Sequence, residues 1–225
     1  MKTFIIYKRR HQTEIPEKFK EDDNRSFEEI IKLFIEQYSK SGDTVLDIFA
    51  GLGTTLIIAE KLGRIPYGIE ILKERYQYII SKIEHKENII NGDARKLLDY
   101  EFPPIDLVYT SPTFMSKHET RDPLNQFKTE GSYSNYLEDL TRIFTNLKKF
   151  LKPSSYVIID VYNLKIDGIT TLAWDVGKKL SDVFRFEGEI ILAHEEPRDK
   201  ESFGYDHSYA LIFTNKQLHE NQKEI

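Results

Sequence analysis

The chain has 225 residues, enough for one sizeable α/β core and little more. With 40% hydrophobic and 31% charged residues it has the make-up of an ordinary globular protein, and a net charge of −5 offers no general attraction for a polyanion, so any nucleic-acid surface must be a local basic cleft. The absence of cysteine excludes disulfides and thiolate metal sites, and no metal-ligand spacing appears elsewhere. No stretch approaches the roughly 18 apolar residues of a membrane span. The N-terminal residues Met1 to Tyr7 lack the length and cleavage site of a secretory signal, which makes the cytoplasm the expected compartment.

In chain order, residues 1–25 are expected to form an N-terminal arm, with Phe4 to Tyr7 an edge strand or part of that arm. Lys8-Arg9-Arg10-His11 is a small basic cluster, suited to a solvated face or to a phosphate contact. Ser26 with Glu29 has the spacing of a capping box ahead of a helix from Phe27 to Tyr38, whose apolar Ile30, Ile31, Leu33, Phe34 and Ile35 bury one side.

Thr44 to Phe49 is an apolar run suited to a buried parallel strand. The turn Ala50-Gly51-Leu52-Gly53 follows, then a helix from Thr54 to Leu62 and a short strand from Pro66 to Ile69 that ends on Glu70. This is a β-loop-α-β unit, with its loop where open α/β sheets bind ligands. Gly51 and Gly53 tolerate positive φ and let a ligand approach the backbone, and the helix N-terminus beyond them favours an anionic group. Glu70 stands roughly 20 residues past the turn, where an acid can receive two ribose hydroxyls. A nucleoside with a nearby carboxylate suits all three features. A dinucleotide suits them less, because Leu56 occupies the place of the third glycine in G-x-G-x-x-G. Asp47, an acid inside an apolar strand, calls for a cationic partner.

A helix from Leu72 to Ile83 and a strand at Asn88 to Ile90 come next. Asp93 has two readings, the N-cap of a short helix from Ala94 to Leu98 or a ligand contact. A strand from Ile105 to Tyr109 leads into Thr110-Ser111-Pro112-Thr113-Phe114, where the proline stops the ladder and stiffens the exit. Residues 115–132 are polar and long for a loop at a sheet edge, so they are expected to contact substrate; His118 among them reads as an exposed side chain ahead of a catalyst. Tyr133 to Leu151 is a helix whose closing lysines suit its dipole. Pro153-Ser154-Ser155 turns into a strand from Tyr156 to Val161, which carries Asp160, either paired or functional. Thr171 to Phe184 is a helix with Trp174 expected in the core. Phe186 to Ala193 and Ser208 to Thr214 form two closing strands around a charged loop, and residues 216–225 are a polar tail.

Asp47-Ile48-Phe49-Ala50-Gly51-Leu52-Gly53-Thr54-Thr55, with Gly68-Ile69-Glu70, resembles the cofactor loop of the S-adenosylmethionine-dependent amino-methyltransferases, above all the DNA cytosine-N4 and adenine-N6 methylases, whose loop reads D-P-F-x-G-x-G-T-T. Ile48 replaces the usual proline. The likeness runs from about Ser26 to Asp160, with a tail to Phe213. It implies a class I Rossmann-like methyltransferase fold over residues 26–215, a mostly parallel seven-stranded sheet with a C-terminal antiparallel hairpin. It also implies S-adenosyl-L-methionine as cofactor, held by Asp47, Phe49, Gly51, Gly53, Thr54, Glu70, Asp93 and Ala94, with Asp93 receiving the adenine amine and Ala94 packing on the ring. Asn24, Arg25 and Ser26 would close over the methionine end.

The Ser111-to-Phe114 stretch is similar to the family's (D/N/S)-P-P-(Y/F) motif. By that resemblance the Ser111 hydroxyl and the Pro112 carbonyl receive the N–H bonds of a planar amine, localising its lone pair, while Phe114 stacks on the base. Serine in first place is like the cytosine-N4 subgroup; Thr113 departs from the motif, where a second proline is usual. The resemblance also argues against cytosine C5 methylation, which would require a cysteine. The expectation is methylation of an exocyclic base amine, DNA cytosine N4 first and adenine N6 second, on DNA read with the help of a homodimer or partner chain. An RNA base, a protein or small-molecule amine, and a non-catalytic cofactor-binding partner subunit are the alternatives.

Overall fold

The structure, a computed structural model, describes residues 3–8, 11–21, 23, 25–195 and 204–216. Arg9, Arg10, Asn24, most of the loop from 195 to 207 and the tail from 217 onward, on which some sequence expectations fall, lie outside the described residues.

The chain runs β1 (Phe4–Tyr7), α1 (Glu28–Tyr38), β2 (Thr44–Asp47), α2 (Thr54–Lys61), β3 (Ile65–Glu70), α3 (Lys73–Ile80), β4 (Ile89–Asn91), β5 (Ile105–Thr110), α4 (Tyr133–Leu147), β6 (Leu151–Val161), β7 (Leu164–Lys165), β8 (Ile169–Thr170), α5 (Leu172–Ser181), β9 (Arg185–His194) and β10 (His207–Thr214). The main sheet has eight strands in the order β1-β9-β10-β6-β5-β2-β3-β4. β10 is antiparallel to both β9 and β6; the other neighbouring pairs are parallel. This is the expected mostly parallel sheet with its antiparallel closing pair, extended by one strand. Residues 4–7 do not stand off as an arm: they pair in parallel with Ile191 to His194 at the sheet edge.

Alternation along the central strands sorts the core into two layers, because successive side chains point to opposite faces. Val45, Leu107 and Ile158 face α1, where Ile30, Ile31, Phe34 and Ile35 pack on them. Leu46, Val108 and Ile159 face α4 and α5, against Leu140, Phe144 and Val176. The strands are buried on both faces, which is why they read as unbroken apolar runs.

Three local expectations give way. Ser26 does not cap α1: the N-cap is Phe27, without a side-chain hydrogen bond, and the Ser26 hydroxyl donates instead to Asp160 Oδ2 at 2.8 Å. Pro153-Ser154-Ser155 lies within β6, which begins at Leu151 and pairs irregularly with β5 between Ile105 and Leu107. Trp174 is 59% exposed, because the apolar stripe of α5 runs through Leu172, Ala173, Val176 and Leu180 and leaves position 174 outside it. The stretch after β6 forms the small antiparallel pair β7–β8 around a left-handed Asp167 and Gly168.

Candidate functional site

Strand order changes direction between β2 and β5: from β2 the chain winds outward through β3 and β4, then returns to β5 and winds the other way through β6. A crevice opens at the carboxyl ends of strands at such a point. Here it is a cavity of about 460 Å³, reached by Asp47 at the end of β2, Glu70 at the end of β3, Asp93 beyond β4 and Ser111 beyond β5. Of the predicted site residues, Asp47, Phe49, Gly51, Thr54, Glu70, Asp93, Ala94, Ser111, Pro112 and Phe114 all line it, with Thr113.

Gly53 does not. Its φ is +76°, and a Cβ added there would stand 2.7 Å from Ile79 Cγ1, so this glycine shapes the turn and seats it on α3. Gly51 is also left-handed, with φ +56°, but a Cβ there would meet only the Phe49 carbonyl, at 4.0 Å. The loop is closed from within: Ala50 N–H donates to the Ile69 carbonyl at 3.0 Å and Gly53 N–H to the Ala50 carbonyl at 2.7 Å.

Both strand-end acids are buried. Asp47 accepts from the Thr110 hydroxyl at 2.6 Å and the Phe49 N–H at 3.1 Å, which ties the end of β2 to the end of β5. Burial pushes its carboxyl up to about 6 against those bonds. Glu70 accepts from the N–H groups of Gly51 at 2.8 Å and Leu72 at 2.7 Å. Burial again dominates and lifts it to about 7, opposed by the Leu72 N–H and the Arg75 charge and assisted by Asp47. Two acids held toward neutrality beside one cavity suit a ligand that carries positive charge and hydroxyl donors.

Asp93 fills its N-cap role, accepting from Arg95 N–H at 2.9 Å. The Arg95 guanidinium also grips it, with Nη2 2.6 Å from Oδ2. Burial works against ionisation there, but the Arg95 hydrogen bonds and charge hold the carboxyl below its usual range. The same guanidinium reaches Asp122 Oδ2 at 2.8 Å and so fastens the 115–132 segment to the site. That segment is folded, with Met115 and Leu124 buried. Asp122 accepts from Leu124 N–H with its side chain, at 2.8 Å, and from Phe127 N–H with its carbonyl, at 2.8 Å. Gln126 and Phe127 are both left-handed, with φ of 65° and 60°, and both line the cavity. Sequence reading placed a substrate loop here but not these two residues; the left-handed backbone that turns them inward is set by Asp122 and leaves no glycine as a signal. Arg95, two residues after a predicted acid, is within reach of sequence reading as its counter-ion.

Asp160 is paired. Besides Ser26, the hydroxyls of Tyr109 and Ser208 lie close enough to bias it, although neither forms a well-aligned hydrogen bond. Burial raises its carboxyl above the usual range. Ser26 and Arg25 both line the cavity, so this buried bond anchors the segment leading into α1 beside the cleft. Phe114 meets Tyr162 edge-on, with ring centroids 5.7 Å apart. His118 is exposed. No cluster of metal-ligating side chains occurs among the described residues, and none of their helices is long and apolar enough to cross a membrane.

This fold is that of the Rossmann-like S-adenosylmethionine-dependent methyltransferases. In sequence, the model of the DNA methylase family matches residues 6–82, from β1 to just past α3, a segment that contains the glycine loop and Glu70 but stops short of Ser111. No curated protein matches the chain. Among solved structures it is similar to TrmN from Thermus thermophilus, with 15% identity, a TM-score of 0.62 and coverage of 90% of this chain; it spans only 54% of TrmN. It is also similar to a SAM-dependent methyltransferase from Aquifex aeolicus, with 18% identity, a TM-score of 0.55 and coverage of 90% of this chain and 99% of that one. A Streptococcus mutans protein solved in complex with SAH is similar as well, with 10% identity, a TM-score of 0.51 and coverage of 83% and 96%.

Proposed function

We propose that this chain transfers a methyl group from S-adenosylmethionine to an exocyclic amino group of a nucleic-acid base, with cytosine N4 of DNA the first substrate and adenine N6 the second. The observation that carries this reading is the joining of two motifs at one cavity: the glycine loop and the Ser-Pro-Thr-Phe turn line the same space, and the Thr110–Asp47 hydrogen bond ties the strands that bear them. The cofactor suits the residues present. Its ribose hydroxyls would be received by Glu70, its positive charge by the field of Asp47 and Glu70, and its adenine by the wall of Asp93, Ala94 and the Gln126–Phe127 corner. When bound, it supplies a methyl carbon made electrophilic by the adjacent sulfonium.

The chain's own part is binding and orientation. Ser111 Oγ and the Pro112 carbonyl accept the two N–H bonds of the amine, which draws its lone pair out of conjugation and aims it at the methyl carbon. Phe114, braced by Tyr162, offers a stacking face for the base. As the N–C bond formed and the methyl–sulfur bond broke, its electron pair staying on the departing sulfur, one N–H proton would be released along the hydrogen bond to an acceptor of the turn and on to water, so no strong base is required beforehand. Holding the partners in contact accounts for much of the rate.

Serine at position 111 and the DNA methylase match over residues 6–82 favour the DNA cytosine reading. Because the 115–132 segment is folded onto the cleft by Arg95, reading a duplex sequence would fall to a second copy or a partner chain, and a single-stranded substrate would avoid that need. The test is methyl transfer from labelled S-adenosylmethionine to matched pools of duplex DNA, single-stranded DNA and RNA, followed by nucleoside mass analysis. N4-methylcytosine in a DNA pool is the expected result. N6-methyladenine, or product in RNA alone, would move the substrate. Cofactor binding with no product in any pool would overturn the nucleic-acid reading in favour of a protein or small-molecule amine, or of a non-catalytic partner subunit.

A further inference from the structure

Tyr136 is the first buried residue of α4. It is 2% exposed and sits in the core among Met115, Leu124 and Leu140. Its hydroxyl donates to the Thr113 carbonyl at 3.0 Å, a side-chain hydrogen bond from α4 onto the turn of residues 111–114. The turn needs such a restraint. It lies beyond the end of β5 and belongs to no helix or strand. Pro112 fixes its own φ, but Thr113 is free to rotate and its carbonyl to swing.

The donor itself is firmly placed. Ser132 caps α4 by accepting from Asn135 N–H at 3.2 Å. The Tyr133 ring stacks near Tyr136, with centroids 6.3 Å apart, and its hydroxyl donates to Asp175 of α5 at 2.8 Å. Burial pushes the Tyr136 hydroxyl well above its ordinary range, so it remains a donor at any working pH.

We infer that Tyr136 is a positioning residue for methyl transfer: its hydroxyl fixes the Thr113 carbonyl and thereby the turn that presents Ser111 and the Pro112 carbonyl, a restraint that proline at position 113 would otherwise supply through the backbone. This rests on the amine-binding reading of the turn. It removes the sense in which Thr113 would be a lapse, since the rigidity is supplied from α4.

The test is a double-mutant cycle of Tyr136→Phe and Thr113→Pro, read both with and without substrate. Tyr136→Phe keeps the ring and removes the donor. We expect kcat to fall about tenfold with the cofactor Kd unchanged, and the fall to shrink to about twofold or less in the Thr113→Pro background. Without substrate, hydrogen–deuterium exchange of a peptide spanning residues 111–116 should quicken in Tyr136→Phe and slow again in the double variant, while peptides from the middle of α4 stay unchanged. Equal losses of kcat in both backgrounds, or exchange at 111–116 that ignores the hydroxyl, would overturn the inference. Quickening along the whole of α4 would also overturn it, by making Tyr136 a general packing residue. If wild-type protein methylates nothing in the pools, the reading of the reaction fails, while the exchange measurement still decides whether Tyr136 holds the turn.

Discussion

The glycine loop after β2 and the Ser-Pro-Thr-Phe turn after β5 stand side by side in one cavity but are held in different ways. The loop closes on itself. Ala50, Gly51 and Gly53 place their N–H groups on Ile69, Glu70 and Ala50, all within the single β-loop-α-β unit. The turn is held from outside, by a tyrosine 23 residues away on a helix of the opposite layer. A self-closing loop carries its specification in its own sequence, and an externally held turn carries only half of it. On the inference drawn for Tyr136, the second motif can therefore carry a threonine where a proline is usual.

The largest effect should separate the two regions by function. On the proposed reading Ser111→Ala removes an acceptor used as the amine becomes tetrahedral, so turnover should fall by about 10²- to 10³-fold while cofactor affinity is unchanged. Single-turnover methyl transfer paired with calorimetric titration checks both halves. Unchanged turnover would detach Ser111 from the chemistry altogether.

Next come the two glycines, which divide the loop's own work. Gly53→Ala forces a methyl to 2.7 Å from Ile79 Cγ1 at a left-handed φ, and should destabilise the fold by about 3 kcal/mol. Gly51→Ala meets no atom closer than 4.0 Å and carries only the backbone penalty, about 1 kcal/mol. Urea unfolding of both variants gives the comparison; equal midpoints would mean that the contact with Ile79 relaxes at no cost.

What could be read from the chain follows the same division. The buried parallel strands, the glycine turn and the acid at position 70 were legible because each depends on neighbours in sequence: an apolar run, a φ that glycine permits, a spacing of one βαβ turn. The edge strand β1 was ambiguous because its partner is β9, at the other end of the chain. Ser26 and Glu29 have the residue types of a capping box, but a buried carboxylate 134 residues onward, Asp160, claims the serine hydroxyl. Trp174 was assigned to the core on residue type, while the stripe of α5 passes it by. Tyr136 falls on the buried stripe of α4, yet nothing in its spacing announces that its hydroxyl ends on Thr113. Apart from Trp174, where the stripe outweighs residue type, long-range pairing is the cause, since periodicity reports which side a residue faces and not which atom it meets.

A last predicted effect sharpens the comparison by pH. Glu70 and Asp47, held at about 7 and about 6, belong to the loop side, and each binds its proton more tightly in the folded chain than in the unfolded one. Their contribution to the stability of the unliganded protein is therefore fully present below pH 4 and is lost as pH rises through 6 and 7, about 3 kcal/mol for each group. A ligand that donates ribose hydroxyls and carries positive charge needs the same two groups ionised, so its binding expels protons and its affinity has the opposite slope. Between pH 8 and pH 6 the cofactor should bind about tenfold more weakly as Glu70 takes up its proton. Over that interval the melting temperature of the empty protein should gain from these two acids. Glu28 does not confuse the window: burial opposes its ionisation, but hydrogen bonds from His11 and the Thr13 N–H hold it at about 2, so it acts only in more acid solution. Titrations in two buffers of different ionisation enthalpy would count the protons released, and Glu70→Gln should flatten the slope above pH 6. An affinity that stayed level from pH 8 to pH 6 would remove Glu70 from the cofactor site while leaving the turn at Ser111 untouched.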